Sequence, residues 1–379
     1  MPLRILCCLL LAMASTSAAT VIRWDGSEIT GPIHYKRNTW TVGTGAERQR
    51  IDTSDVCSVR FASQGTGAST DLARLTLRDG SHLVGTVQAS TRLETIPLER
   101  LDEVSQLPRE QVASVEFGLL EPGVSPGQLP APPFVIMRNG KVIEAEAEWL
   151  TWFELGVATP AGRLRLARDQ IHRVVLAAVA GGEPDPADVR LSTVFGDAVD
   201  GRLMQLDAEW ADLRVDGLTL RFPTTRLLRI DARDPALVSL LTRQPDTIKT
   251  TPYLNLVREP AFDSGLFGGP VIAQGIRFDH GIAAHSHSVI VYRLGGAFQR
   301  LLSQAGLDTR LTDEGHAVML VRGDGKQLAR IPVTGTSGLA ALNVPLNGVD
   351  RLELVVDYGE GGSTGDHAVW ADPRLIRAE

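Results

Sequence analysis

The sequence predicts an all-β protein with an N-terminal array of small antiparallel, β-barrel-like repeats and a β-sandwich after it. Three observations support this. The 37 Gly and 21 Pro residues are spread along the 379 positions, which is typical of short strands joined by many turns. A strand–turn–strand unit recurs up to residue 232, and at least seven short apolar runs follow residue 252.

The first 19 residues have the pattern of a secretory signal peptide. Arg4 gives a positive start, residues 5–14 form an apolar run, and small residues at 17–19 suit cleavage after Ala19. The run is too short to span a bilayer, and no later stretch is apolar enough. We therefore expect an exported chain without a membrane span after cleavage, located in the periplasm, cell envelope or extracellular space.

The repeat unit opens with a hairpin that carries glycine. Gly26, Gly80 and Gly140 each follow Asp or Asn and are 54 and 60 residues apart, and a looser fourth copy lies at 194–197. Asp-Gly and Asn-Gly between apolar alternations predict type I′ turns, in which both central residues have positive φ. Each unit also ends on an apolar strand.

The repeats predict a division of the chain into units separated by Gly- and Pro-rich linkers. One unit of about 45 residues has little core of its own, so neighbouring copies are expected to pack together. In the last linker, residues 235–242 are predicted to form a helix because Pro235 suits a first helical turn. The predicted units are 20–62, 72–118, 134–178, 189–232 and the sandwich at 252–379.

Cysteine content and charge exclude some classes of protein. Cys7 and Cys8 leave with the signal peptide, so Cys57 has no partner for a disulfide within the chain and is expected to be a small buried apolar residue. The net charge of −7 argues against a nucleic-acid partner, which normally binds a basic surface.

The region after residue 252 resembles a known family. Its characteristic segments occur in order at 281–288, 305–308, 323–326, 351–357 and 366–375. In this order they resemble the NPCBM/NEW2 family of carbohydrate-binding modules over about residues 252–377. The segment Asp-His-Ala-Val-Trp-Ala-Asp at 366–372 is the most specific part, whereas the usual Gly-Thr-His is Ala-Ala-His at 283–285.

The resemblance implies a galactose-binding-like jelly-roll sandwich that binds a carbohydrate or a glycosylated surface component. Two interpretations of Trp370 remain open, because its indole either stacks on a sugar ring or closes the sandwich core. The candidate ligand-binding residues are His285, Asp308, Asp366, His367 and Trp370.

Two metal sites are considered. Four carboxylates could supply oxygen ligands to a structural calcium ion, or could instead cap turns: Asp308, Asp357, Asp366 and Asp372. Zinc would need two imidazoles on one face of a strand and a third ligand. His285 and His287 have that spacing, with His280 or His367 as the third, or else His285 is a packed strand residue.

Two motifs are weighed as catalytic or nucleotide-binding signals. Residues 361–365 match G-x-S-x-G and precede Asp366 and His367, but a nucleophile elbow needs a following helix, and the short remainder contains Pro373. A flexible loop is the favoured interpretation. Residues 323–326 end in Gly-Lys without the spacing of a P-loop, which indicates a hairpin turn.

The sequence therefore predicts a non-catalytic exported protein that binds glycans through its C-terminal module. The repeats would act as scaffold or as contacts for a protein partner. One alternative is a structural or interaction protein of the cell envelope without sugar binding. Another is an accessory part of a glycoside hydrolase system, and a third is a glycoside hydrolase in which Asp357 and Asp366 serve as acid and base.

Overall fold

The structure, a computed structural model, describes residues 18–62, 72–100, 103–121, 124–180, 185–251 and 257–378. The predicted all-β class is confirmed, since these residues form strands and single-turn 3₁₀ helices without an α-helix. No helix in the described ranges is long and apolar enough to cross a membrane. Residues 1–17 of the predicted signal peptide lie outside the described residues, whereas Ala18 and Ala19 belong to the first strand.

One order of elements occurs four times, in repeats 1 to 4. A hairpin is followed by further strands, a 3₁₀ turn and a closing apolar strand. The strands are β1 (Ala18–Arg23), β2 (Glu28–Lys36), β3 (Thr39–Val42), β4 (Gln49–Asp52) and β5 (Val56–Phe61); β6 (Ala73–Leu77), β7 (His82–Val87), β8 (Thr95–Arg100), β9 (Glu103–Pro108) and β10 (Val112–Glu116); β11 (Phe134–Met137), β12 (Val142–Glu144), β13 (Glu146–Leu150), β14 (Glu154–Thr159), β15 (Gly162–Ala167) and β16 (Ile171–Val175); β17 (Val189–Thr193), β18 (Ala198–Leu206), β19 (Trp210–Val215), β20 (Leu218–Pro223) and β21 (Leu227–Ala232).

The closing strands are each preceded by a 3₁₀ turn, and repeat 1 has an additional one. These turns are Gly45–Glu47, Thr53–Asp55, Arg109–Gln111, Arg168–Gln170 and Thr224–Arg226. The closing strands pair in twos: β5 lies beside β21 and β10 lies beside β16. Repeat 1 therefore joins repeat 4, repeat 2 joins repeat 3, and side chains from all four form one apolar core.

The opening turns of the repeats differ from the type I′ prediction, which is wrong. In the first turn Gly26 has φ of 80°, but Asp25 does not have positive φ. The Gly26 N–H donates to Arg23 O and the Arg23 N–H to Ser27 O, which gives a three-residue loop, a type I turn followed by a left-handed glycine. Asp25 accepts a hydrogen bond from the Ser27 N–H at 2.8 Å, so the acidic residue closes an Asx turn.

The C-terminal region is a sandwich of two antiparallel sheets. One has the order β24-β27-β34-β29-β32 with β22 beside β34, and the other has the order β23-β28-β33-β30-β31. The strands of this region are β22 (Leu237–Ser239), β23 (Thr247–Thr250), β24 (Ala261–Phe262), β25 (Val271–Ala273), β26 (Ile276–Phe278), β27 (Gly281–His285), β28 (Ser288–Arg293), β29 (Phe298–Leu307), β30 (His316–Gly323), β31 (Lys326–Thr334), β32 (Ala340–Pro345), β33 (Arg351–Tyr358) and β34 (His367–Arg377). β25 and β26 pair with each other in a separate two-stranded sheet.

The predicted helix at 235–242 is wrong. The segment forms β22 and a 3₁₀ turn, Leu240–Thr242. Leu237 and Val238 pair with Ile376 and Leu375 of β34, so pairing with a distant strand overrides the local helix signal. Because β23 also pairs with β28, the sheets of the sandwich begin before residue 252.

Repeat 1 contacts the sandwich through apolar side chains. Cys57 is fully buried in a cluster with Ile22 of repeat 1 and with Leu302 and Ile376 of the sandwich. Burial raises the pKa of its thiol to about 12, so the group stays neutral. The expected role as a small buried apolar residue is confirmed, and it lies at the junction of the two parts.

Repeat 4 contacts the sandwich through a group of four buried ionic side chains. Arg229 lies between Asp231 of its own strand and Asp372 of β34. Arg374 Nη1 lies 2.8 Å from Asp231 Oδ1. Burial alone would raise the pKa of Asp372, but Arg229 and Arg374 outweigh it and hold this pKa far below its usual value. Each part thus supplies one cation and one anion.

A second group of charges joins repeats 2 and 3 to the sandwich. Glu116 of β10 accepts from Arg277 Nη1 at 2.9 Å and from Arg173 of β16. Burial opposes ionisation, yet the two guanidinium groups lower the pKa of Glu116 to about 2. Asp279 beside it contacts Arg74 of repeat 2 and Arg190 of repeat 4.

We predict that Arg229→Met destabilises the protein by about 3 kcal/mol, because it leaves Asp372 and Asp231 with one cation between them in a buried site. Chemical denaturation measures the loss. The matched control is Arg163→Met, which breaks an exposed pair with Glu148 and is expected to cost less than about 1 kcal/mol. Equal losses in both variants would contradict a central role for the buried group.

The ionised form of Glu116 predicts a defined pH dependence. Its folded pKa of about 2 lies below the ordinary 4.5, so its contribution to stability is present above pH 4.5 and is lost as the pH falls toward 2. We expect Glu116→Gln to lower the melting temperature at neutral pH and to reduce its fall between neutral pH and about pH 3. The control, Glu146→Gln at an exposed pair with Arg109, should follow the parent protein; a parallel profile for Glu116→Gln would contradict the assignment.

Candidate functional site

Three of the candidate ligand-binding residues meet at one end of the first sheet. β27 ends at His285 and β34 begins at His367, and the antiparallel register places these two residues opposite each other. Asp308 follows the last residue of β29, and its N–H donates to His367 O at 2.8 Å. Loops that are far apart in sequence therefore converge at this edge.

Asp366 supports these loops from inside. Its carboxylate is fully buried and accepts hydrogen bonds from Ser286 Oγ at 2.6 Å and from the His316 N–H at 3.2 Å. Burial raises the pKa of Asp366 although both hydrogen bonds oppose this. Asp366 therefore links the two loops through hydrogen bonds and is not accessible to a ligand.

Asp308 is buried as well and orients an arginine. Its Oδ2 lies 2.6 Å from Arg310 Nη2, and its Oδ1 lies 2.9 Å from Arg310 Nε. This two-point contact fixes the plane of the guanidinium. Arg310 is the more exposed partner, so the pair presents a cation, and not a carboxylate, toward solvent.

The two histidines lie side by side at the edge. The ring centroids of His285 and His367 are 5.7 Å apart. Burial, followed by the neighbouring His285, lowers the pKa of His367, which keeps this ring neutral at neutral pH. His367 Nδ1 is buried without a hydrogen-bond partner among the described residues, whereas His285 Nδ1 lies 2.6 Å from Ser286 O.

An exposed aromatic residue that the sequence reasoning missed completes the site. Phe267 is 48 % exposed, and its ring is nearly perpendicular to that of His367, with centroids 4.9 Å apart. The Arg258 guanidinium lies 4.7 Å from the Phe267 ring centroid. The available signal was an apolar pair at 266–267 among the glycines 265, 268 and 269. Apolar side chains in such a tight turn cannot easily reach the core, so exposure of at least one of them was to be expected.

Trp370 belongs to the core, which was one of its two interpretations. Its side chain has no exposed surface and packs inside the sandwich. Side chains alternate along a strand, so Val369 and Ala371 lie on the opposite face of β34 and pack in a separate cluster. The indole therefore offers no face on which a sugar could stack.

The two sheets, the order of the segments and the loop edge can now be compared with known proteins. Residues 248–376 match the NPCBM/NEW2 domain. The expected family resemblance in the C-terminal third is confirmed. The NPCBM/NEW2 region covers β23 to most of β34 and includes all the residues of the site described above.

A curated relative and two solved structures are similar to this chain. A stretch of 110 residues, 29 % of the chain, is 29 % identical to a Renibacterium salmoninarum protein named as an endo-alpha-N-acetylgalactosaminidase and covers 7 % of it. The chain thus spans a small fraction of that relative. CBM51 from Clostridium perfringens GH95 in complex with methyl-galactose is 24 % identical, covering 37 % of this chain and 99 % of that one, with a TM-score of 0.33. CBM51-2 with INT domains from Clostridium perfringens ZmpB, in complex with GlcNAc, is 18 % identical. The match covers 59 % of this chain and 43 % of that one, with a TM-score of 0.35.

The four candidate calcium ligands of the NPCBM/NEW2 region are not brought together. Asp308 pairs with Arg310, Asp366 is enclosed, and Asp372 lies between Arg229 and Arg374. Asp357 is the most exposed and lies 3.9 Å from His287 Nε2. Within the described ranges no group of three or more His, Cys, Asp or Glu side chains could hold a metal ion, because each carboxylate already has its own partners.

The candidate zinc ligands are separated in the same way. His285 faces His367, whereas His287 stacks on Tyr358 with ring centroids 6.0 Å apart. His280 Nδ1 lies 3.1 Å from Asp263 Oδ1. The expected one-face arrangement of His285 and His287 is therefore absent from this edge of the sheet, and each ring contacts a different neighbour.

The two glycine motifs are turns. The G-x-S-x-G segment leads into β34 at His367 and not into a helix, so it lacks the geometry of a nucleophile elbow. Asp324 and Gly325, with φ of 49° and 78°, form the two-residue tip between β30 and β31. Positive φ at both positions gives the type I′ turn, so the expected hairpin is confirmed.

Proposed function

We propose that this chain is an exported, non-catalytic protein that binds glycans or a glycosylated partner through its NPCBM/NEW2 region. The match of residues 248–376 to a family of carbohydrate-binding modules carries the proposal. The loop edge supports it, because an exposed aromatic ring with polar side chains around it is the usual composition of a small-ligand site. The enclosure of Asp366 supports the non-catalytic part, since this member of the weighed acid and base pair does not face solvent.

The residues at the edge have distinct roles in this proposal. The exposed part of the Phe267 ring contacts the apolar face of a sugar ring. Arg258, His285 and Arg310 lie around it and donate hydrogen bonds to hydroxyl groups. Asp308 positions Arg310, while Asp366 joins the loops that carry the site. Binding through one aromatic ring is expected to be of modest affinity.

The repeats serve as a scaffold for the module. The contacts of Cys57, Glu116 and Arg229 link repeats 1, 2 and 4 directly to the sandwich. Repeat 3 is joined through Arg173, which shares Glu116 with Arg277. Because all four repeats are linked to the sandwich, the loop edge with Phe267, His285 and Arg310, here called the glycan-binding edge, has one orientation relative to the repeats.

We predict that Phe267→Ala lowers the affinity of the full chain for a bound glycan about tenfold or more, because the apolar contact of the sugar ring is lost. The ligand is first identified by screening the full chain on a glycan array, and affinity is then measured by calorimetry. Phe153→Ala is the matched control, since Phe153 is 81 % exposed and lies outside the NPCBM/NEW2 region. Absence of binding to every saccharide on the array would overturn the proposal.

Export predicts a processed N-terminus. Cleavage after Ala19 would remove two of the six residues of β1, including Ala19, which pairs with Gly31 and Phe61. We expect mass spectrometry of the protein recovered outside the cytoplasm to show a chain that begins at Thr20. An intact Met1 terminus on protein confined to the cytoplasm would contradict export.

A further inference from the structure

Repeat 1 carries a cluster of positive charge in a chain whose net charge is −7. Lys36, Arg37, Arg48 and Arg50 line one cleft of about 750 Å³ together with His34. All four cationic side chains are exposed. Within the described part of the chain none of them forms an ion pair, in contrast to the paired arginines at the junction with the sandwich.

Strand register places His34, Lys36 and Arg50 on one surface, which together with Arg37 and Arg48 forms the basic cleft. In β2 and β3 His34 lies opposite Thr41, and in β3 and β4 Thr41 lies opposite Arg50. Directly opposed residues share a face of the sheet. The alternate residues Tyr35 and Trp40 are buried on the other face, so the apolar side of the sheet forms core and the cationic side faces solvent.

The basic cleft has little compensating negative charge. Asp207 is the one carboxylate among the described residues that line it. Asp207 accepts hydrogen bonds from the N–H groups of Glu209 and Trp210, both at 2.8 Å, and these hydrogen bonds lower its pKa. Asp207 is therefore ionised, but one carboxylate offsets only one of the four cations, so the cleft keeps a net positive charge.

We propose that the basic cleft is a second binding site, which takes a linear anionic polysaccharide. Lys36 and Arg50 are on strands separated by β3, so their backbones are about 10 Å apart. A single carboxylate carries one negative charge and would leave most of the four cations without a partner. A chain that bears a carboxylate or sulfate on successive sugars can pair with several of them, and arginine binds such groups with two parallel hydrogen bonds.

The lining favours a glycan over other polyanions. Tyr35 and Trp40 are buried, so bases of a single-stranded nucleic acid would find no aromatic platform. Leu206 and Tyr35 are the large apolar residues of the lining and both are buried, which leaves nothing to insert into a membrane. Thr39 and Thr41 offer hydroxyl groups to sugar hydroxyls. The preference for a glycan also rests on the proposed function.

Binding of the full chain to four probes tests the proposal. The probes are an oligouronate, a sulfated oligosaccharide, a neutral oligosaccharide of equal length and single-stranded DNA of equal charge. Arg48→Glu with Arg50→Glu reverses two charges of the cleft. Arg163→Glu with Arg165→Glu is the matched control, because these arginines of β15 are 80 % and 74 % exposed and the net charge changes equally.

We expect the parent chain to bind the oligouronate or the sulfated probe, and which of the two binds more tightly identifies the anionic group. The affinity of the parent chain for the anionic probe should fall with added salt. The affinity of the cleft variant should be about tenfold or more lower than that of the parent, and the control variant should bind as tightly as the parent. Phe267→Ala should leave this binding unchanged, so the site can be tested apart from the glycan-binding edge. Failure to bind either anionic glycan, equal losses in both charge variants, or tighter binding of DNA would overturn the proposal.

Discussion

The arrangement of this protein depends on buried charges that the repeats and the sandwich share at their junction. Arg229 and Asp231 come from repeat 4, and Asp372 and Arg374 come from β34. Each part holds one cation and one anion of this group. Separating the parts would break the contacts of Arg229 with Asp372 and of Arg374 with Asp231. Burying charges costs desolvation energy that offsets much of their mutual attraction, so these charges specify the orientation of docking more than its strength.

One strand links this junction to the proposed glycan-binding edge. β34 begins at His367, beside His285 and Phe267, and five residues later reaches Asp372. The same strand pairs with β22, β27 and β29. β34 therefore belongs both to the junction with the repeats and to the loop edge.

Local patterns predicted the strands, the recurring unit and the family segments, because turn residues and alternation act over a few positions. The turn type was wrong because an Asp-Gly pair suits either a two- or a three-residue loop, and Ser27 closes the longer one. The helix at 235–242 was wrong because its pairing partner lies 130 or more residues away. Phe267 was missed because its exposure depends on how loops that are distant in sequence meet. The acidic residues considered for calcium are separated for the same reason, since their positions depend on long-range packing.

The pairing of repeat 1 with repeat 4 has a consequence for the order of folding. Ser58 Oγ donates to Asp231 Oδ1 at 2.6 Å across 173 residues, whereas β10 and β16 are much closer in sequence. Contacts between near neighbours form first, because closing a short loop costs less entropy. Repeats 2 and 3 should therefore pair first, and repeats 1 and 4, which flank them in the sequence, should pair later. Until the fourth copy emerges, β5 is an open strand edge that another chain can occupy.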